Sequence, residues 1–404
     1  MKKVRIAIIL ASMTMGVATA MADELEEKKD STGFVFTDVR VIESTPVRDQ
    51  NKSGTCWCFS GTTFIEDEII RKGGKPVDLS EMYTVRHCYA DKADRYMRLN
   101  GKGNFSQGGS ILDVIYSWKR YGIVPEEVYR GLNYGEDNHM HSELESGMKA
   151  FLDAVNRNPS RRLSTAWPAA LNGILDAYFG VLPETFDIDG SMYTPISYAA
   201  SLGVNVDDYI PLTSFIHQPF YEEYAIEVPD NWLWAGYHNL PLDELKAVID
   251  NAVENGVPVV WAADVSEQGF KWKKGVALMP KAKNEADMEG TELARWVKLT
   301  DAEKKDKQYD FNGPVEEIEV TPEVRQSMFD RRETTDDHGM EIVGYATDQN
   351  GRRYYKVRNS WTDNQVYGGH LYVSEAYVLA KTIDVLVHRD AIPKAIAAKL
   401  NLKK

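Results

Sequence analysis

The spacing of apolar positions changes character along the chain. From Cys56 onward, Gly61, Phe64, Ile65 and Ile69 recur at helical intervals until Gly73-Gly74, which predicts a helix with a glycine stop. A second helix is predicted over 110–121. Ser110 caps it, Ile111, Val114, Ile115 and Trp118 form its apolar stripe, and Gly122 ends it. The stretch 136–230 shows several helical segments broken by prolines and tyrosines and reads as an insertion. A further helix spans 241–255, with Pro241 in its first turn and Gly256 at its C-cap.

The pattern then turns to β-branched and aromatic runs. These are "VPVVWAADV" (257–265), "EIVGYAT" (341–347), "RRYYKVRNSW" (352–361), "HLYVS" (370–374) and "IDVLVH" (383–388), all strand signatures. "DQNG" at 348–351 predicts a hairpin turn, since Asn-Gly tolerates positive φ at both central positions. The polar stretch 281–310 reads as a surface loop or lid. "FVFTDVRVIESTPVRDQ" (34–50) reads as extended. The last residues predict an amphipathic helix with Ile392, Ile396, Ala397 and Leu400 on one side. Helices therefore dominate the first half and an antiparallel sheet or barrel the end, an α+β chain of two lobes.

Composition adds a compartment. In the 404-residue chain, Lys2, Lys3 and Arg5 precede the apolar stretch "IAIILASMTMGVATA", and "AMA" at 20–22 closes it, the layout of a cleavable secretory signal. The short positive region favours a bacterial export signal, hence the periplasm or exterior. Residues 1–22 carry three positive charges and no acidic one, so their removal takes the net charge from −14 to −17. An acidic surface of that size argues against nucleic acid or anionic membrane as the main partner. No later segment has the roughly eighteen uninterrupted apolar residues of a bilayer span.

The chemistry centres on "GTCWCFSG" (54–61), which holds two of the three cysteines. One intervening residue is too short for the usual Cys-x2-4-Cys zinc pair, and Trp57 crowds the gap. The redox motif needs Cys-x-x-Cys. A nucleophile fits better. Cys56 begins a helix, where free amides and the dipole favour a thiolate. Cys58 lies about 200° further round that helix, facing away. A thiolate attacking a carbonyl needs a base and donors for the oxyanion. The Gln50 side chain and the Cys56 amide are candidate donors. His338, at the start of the strand "HGMEIVGYA", is the candidate base. Asn359 follows on the paired strand, where its side-chain oxygen would accept the Nδ1 proton of His338, and Trp361 would shield that bond.

These segments resemble papain-type cysteine peptidases. "DQNKSGTCWCFSG" (49–61), "LSEMYTVRHC" (79–88), "SQGGSILDVIYSWKRYGIVPEE" (106–127), "DHGMEIVGYA" (337–346) and "RNSW" (358–361) occur in that family's order. The size and the insertion are similar to the bleomycin hydrolase or aminopeptidase C branch. The resemblance implies a two-lobe fold after the signal, over 23–404. It has a helical lobe (33–135), a helical insertion (136–230) and a mainly β lobe with the tail (231–404), whose antiparallel strands are barrel-like. It implies Cys56 as nucleophile, His338 as base and acid, Asn359 orienting it, Gln50 in the oxyanion hole and Trp361 as cover. Gly108 and Gly109 would let a peptide main chain approach. Peptides are the implied substrates, no metal or organic cofactor is needed, and the branch forms closed hexamers. The branch also trims N-terminal residues because its C-terminus blocks one side of the cleft, so an aminopeptidase is expected. An open-cleft endopeptidase, a silent peptide-binding protein and an acyl transferase to amines are the alternatives. Two positions depart from the pattern. Ser53 stands where the family has a bridging cysteine, and Thr362 stands where it has glycine. A Cys58–Cys88 bridge is the one pairing left open.

Overall fold

The computed structural model describes residues 33–160 and 162–402. The export signal expected over 1–22 lies outside the described residues. β1 (Thr37–Val41) leads by an extended segment into α1 (Cys56–Arg71), α2 (Glu81–Arg98) and α3 (Leu112–Tyr121). The glycine stops act as expected. Gly73 and Gly122 take φ of 82° and 77°, a region open to glycine at little cost. Ser110 Oγ accepts the amide of Leu112 at 3.1 Å.

Next come α4 (Ser142–Asn156), α5 (Trp167–Phe179), the hairpin β2 (Phe186–Ile188) and β3 (Ser191–Tyr193), and α6 (Pro195–Ser201). The helices of the 136–230 stretch end there. The chain then enters the main sheet at β4 (Tyr209–Thr213) and β5 (Glu223–Ala225). Pro211 hides β4 in the sequence, because proline cannot donate to a ladder. Its parallel pairing to β6 (Gly236–Asn239) begins only at Leu212.

α7 (Leu242–Glu254), β7 (Val259–Ala263), β8 (Phe270–Lys271) and β9 (Val276–Ala277) follow, then α8 (Gly290–Trp296), α9 (Asp301–Gln308) and α10 (Pro322–Asp330). The polar stretch 281–310 is thus helical in part rather than a plain loop. A Thr300–Glu303 capping box starts α9. The chain closes with β10 (His338–Thr347), β11 (Arg353–Arg358), β12 (His370–Ser374), α11 (Glu375–Lys381), β13 (Thr382–His388) and α12 (Lys394–Lys399). The turn between β10 and β11 forms where expected. Gly351 alone takes positive φ there, at 78°, while Asp348 Oδ1 accepts the amides of Asn350 and Arg352.

The main strands run β5-β6-β4-β13-β7-β10-β11-β12-β9-β8, with β1 added to β10. β4 pairs β6 and β9 pairs β12 in parallel, and the other pairs are antiparallel. The short end strands β5 and β8 do not meet, so this is an open mixed sheet and not the barrel-like lobe expected. Its faces follow the period of two. Val260 and Leu386 join the core of Trp57, Phe64 and the N-terminal helices. Val259, Trp261 and Val385 join the opposite core, with Leu245 and Val248 of α7. Ile392, Ile396 and Leu400 pack in that second core, with Leu402 against it. The chain up to Leu402 therefore lies on the face opposite α1. Among the described residues no helix is long and apolar enough to cross a membrane.

Candidate active site

α1 begins at Cys56 because the loop before it is fixed from several sides. The Thr55 carbonyl accepts the amides of Cys58 and Phe59 at 2.9 and 3.1 Å. Ser53, at the position of the missing cysteine, donates from Oγ to the Gln50 carbonyl at 2.8 Å and lies 2.6 Å from Thr55 Oγ1. Hydrogen bonds thus hold this loop without a disulfide. All three cysteines are free thiols, so no Cys58–Cys88 bridge forms. Cys58 is fully buried and lies 3.2 Å from the Glu81 carbonyl, and Cys88 is buried beside Asp113.

β10 delivers His338 to the same place. Gly339 makes this approach feasible, since a Cβ there would stand 2.7 Å from Ser60 Oγ and 3.2 Å from Trp57 Cα. The amides of Gly339 and Trp57 both face the Cys56 sulfur. Cys56 and His338 line one pocket together with Gly109. Burial pushes the Cys56 thiol up to about 12, against those two amides, and nearby Asp336 and Asp230 push the same way. Burial pulls His338 down to about 4, against its bond to Asn359.

The β10–β11 hairpin brings Asn359 back to His338. His338 Nε2 lies 2.7 Å from Asn359 Oδ1. That oxygen also accepts the Ser360 amide at 2.7 Å, which fixes the side-chain amide orientation. Nε2 must then carry the proton. The sequence reading placed this bond on Nδ1, and the ring is turned the other way. Nδ1 is left as the nitrogen free to act as a base. Trp361 packs against the imidazole with ring centroids 4.7 Å apart and is braced by Trp272 at 5.2 Å.

Gln50 is buried and locked. Its Nε2 donates to the Ser53 carbonyl at 2.6 Å and its Oε1 accepts from Ser360 Oγ at 2.7 Å. One N–H of the amide stays available. The glycine pair sits opposite. A Cβ on Gly109 would stand 2.8 Å from the Trp57 ring, and one on Gly108 would stand 2.0 Å from Asp230 Oδ2. Four residues of this arrangement were not singled out from sequence: Ser360, Gly339, Gln107 and Asp230. Gln107 accepts the Gly54 amide at 2.7 Å on Oε1, and its carbonyl accepts Trp57 Nε1 at 3.0 Å. It ties the glycine loop to the cysteine loop. Its place beside Gly108-Gly109 was the only signal available.

The papain family cysteine protease model matches residues 36–171, and the peptidase C1-like family model matches residues 184–404. The chain is 22% identical to aminopeptidase C of Lactobacillus delbrueckii subsp. lactis over 399 residues, covering 88% of this chain and 80% of that protein. It is 21% identical to bleomycin hydrolase of Rattus norvegicus over 419 residues, covering 91% and 85%. The fold is similar to the crystal structure of PepW from Lactobacillus rhamnosis HN001, with a TM-score of 0.69 at 17% identity, covering 96% and 92%.

Proposed function

Since the chain belongs to the peptidase C1-like family of papain-type cysteine peptidases, we propose that it is an exported aminopeptidase working through Cys56, His338 and Asn359. The observation that carries this reading is the 2.7 Å bond of His338 Nε2 to Asn359, with His338 lining the pocket that Cys56 shares. It leaves Nδ1 free to take the thiol proton. The Cys56 thiolate attacks the peptide carbonyl carbon, and the oxyanion takes the free Gln50 N–H and the Cys56 amide. His338 gives its proton to the leaving nitrogen as the C–N bond breaks. Water then loses a proton to His338 and attacks the thioester, and the C–S bond breaks. Gly108-Gly109 aligns the substrate main chain. The layout of residues 1–22 supports export.

N-terminal trimming is supported by the relatives named aminopeptidase C, which this chain matches along most of its length. One observation favours the endopeptidase reading instead. The tail up to Leu402 packs behind the sheet and so does not close the cleft in the way that branch uses. Aminoacyl substrates compared with N-blocked peptides separate the two readings, and a preference for blocked substrates rejects the aminopeptidase. Cys56→Ala should abolish hydrolysis and labelling by iodoacetamide. Hydrolysis retained in that variant would sink the assignment, and a Cys56 with an ordinary thiol pKa and no turnover supports a silent binding protein. A hexamer is carried over from the branch and is checked by mass in solution.

A further inference from the structure

The pocket beside Cys56 has an acidic wall. Asp384, Asp336 and Asp230 line it with Tyr237. Asp384 interrupts the apolar strand β13, where it is 4% exposed and its Oδ1 has no hydrogen-bond partner. An unpaired carboxylate in such a place is costly to keep. The charge acting on it is Asp336, of the same sign. Asp336 in turn faces Asp230, Asp337 and Asp113.

The other carboxylates have partners. Buried Lys92 sits beside Asp113 and Asp230. Trp232 Nε1 donates to Asp113 at 2.5 Å, Asn104 to Asp230 at 2.9 Å and the Ser266 amide to Asp337 at 3.1 Å. Asp384 and Asp336 have no such donor. No lysine or arginine lines the pocket, and burial works against a charge on its one basic side chain, His338. Among the described residues no three acidic, histidine or cysteine side chains are grouped to hold a metal ion. Any counter-charge for Asp384 and Asp336 must therefore come from outside the side chains that line this pocket.

We propose that Asp384 and Asp336 bind an ammonium or guanidinium group of the peptide substrate, making this chain selective for cationic substrates. The proposal rests on the cysteine-peptidase reading and deepens it. A peptide offers such a group in two places, its α-amino terminus and a lysine or arginine side chain.

The test is hydrolysis by the full chain of two substrate sets. One set is N-acetylated peptides carrying lysine, arginine or norleucine next to the cleaved residue. The other is neutral aminoacyl amides with free or acetylated termini. Wild type should favour the cationic member of at least one set by about tenfold or more in kcat/KM, a scale set by a polar site deprived of its partner. Asp384→Asn should collapse that ratio, and Asp336→Asn should reduce it. The neutral substrate in each set reports folded enzyme. Slower iodoacetamide labelling of Cys56 in wild type under lysyl than under norleucyl peptide gives a readout that needs neither a variant nor turnover. Ratios near one in wild type, or equal protection, overturn the proposal, as does a preference that survives Asp384→Asn. A free-terminus preference that survives leaves the aminopeptidase standing and sinks the acidic site. A lysine preference on acetylated peptides that is lost in Asp384→Asn does the reverse.

Discussion

Two groups of buried carboxylates flank His338, and one of them is closed. Three residues along β10, Glu341 meets Asp67 of α1 across Arg358, the first residue before Asn359. Arg358 also donates to the Thr45 carbonyl at 2.6 Å, and the Thr45 amide donates to Asp67 at 2.7 Å. Two residues before His338, Asp336 meets Asp384 with no cation between them. Burial raises the carboxyl groups in both places, but Arg358 pulls Glu341 and Asp67 back down, and nothing does so for Asp384. The contrast teaches that buried acid alone does not mark a site. The closed group clamps α1 to the hairpin that carries His338 and Asn359. The open group faces the cleft, where a ligand can complete it.

The largest effect should come from opening the closed group. Arg358→Met leaves Asp67 and Glu341 buried without their cation, a situation that costs about 3–5 kcal/mol. Denaturant unfolding should show a loss of that order. A loss under about 1 kcal/mol would mean that surface-like screening reaches the group and that it is no clamp.

The same kind of change in the open group should have the opposite sign. Asp384→Asn removes a buried carboxyl that burial and Asp336 already hold against ionising, so the free enzyme should lose nothing and gain up to about 1 kcal/mol at pH 8, as substitutions that relieve a functional site often do. A loss comparable to that of Arg358→Met would show that Asp384 supports the fold, and the comparison between the two groups would collapse.

Much of the candidate site was legible because each residue leaves a local mark. Cys56 stands at a helix start, His338 at the head of a strand, and Asn359 across a recognisable turn. The orientation of the imidazole was not legible, since it depends on the Ser360 amide fixing the Asn359 oxygen. The helices and most strands followed from period, but Pro211 masked β4, and closure of the sheet depends on end strands too short to carry a signal. Asp384 was visible as one polar position in an apolar strand. Its neighbours Asp336 and Asp230 are far apart in sequence, so only the fold gathers them.

The last comparison concerns Asp336, which is half-buried. Desolvation first, then Asp230, Asp337 and Asp113, push its carboxyl up to about 8 from an ordinary 3.8. The folded chain therefore holds this proton over a range where the unfolded chain has released it. Its contribution to stability is full below about 4, falls as pH rises toward 8 and is flat above. Asp336→Asn removes that slope. Compared with wild type, the variant should gain in relative stability between pH 5 and pH 8, read from unfolding midpoints at both. A difference that stays constant across those pH values would mean that Asp336 is ionised in the free enzyme and already has its counter-charge, closing the open group without a substrate.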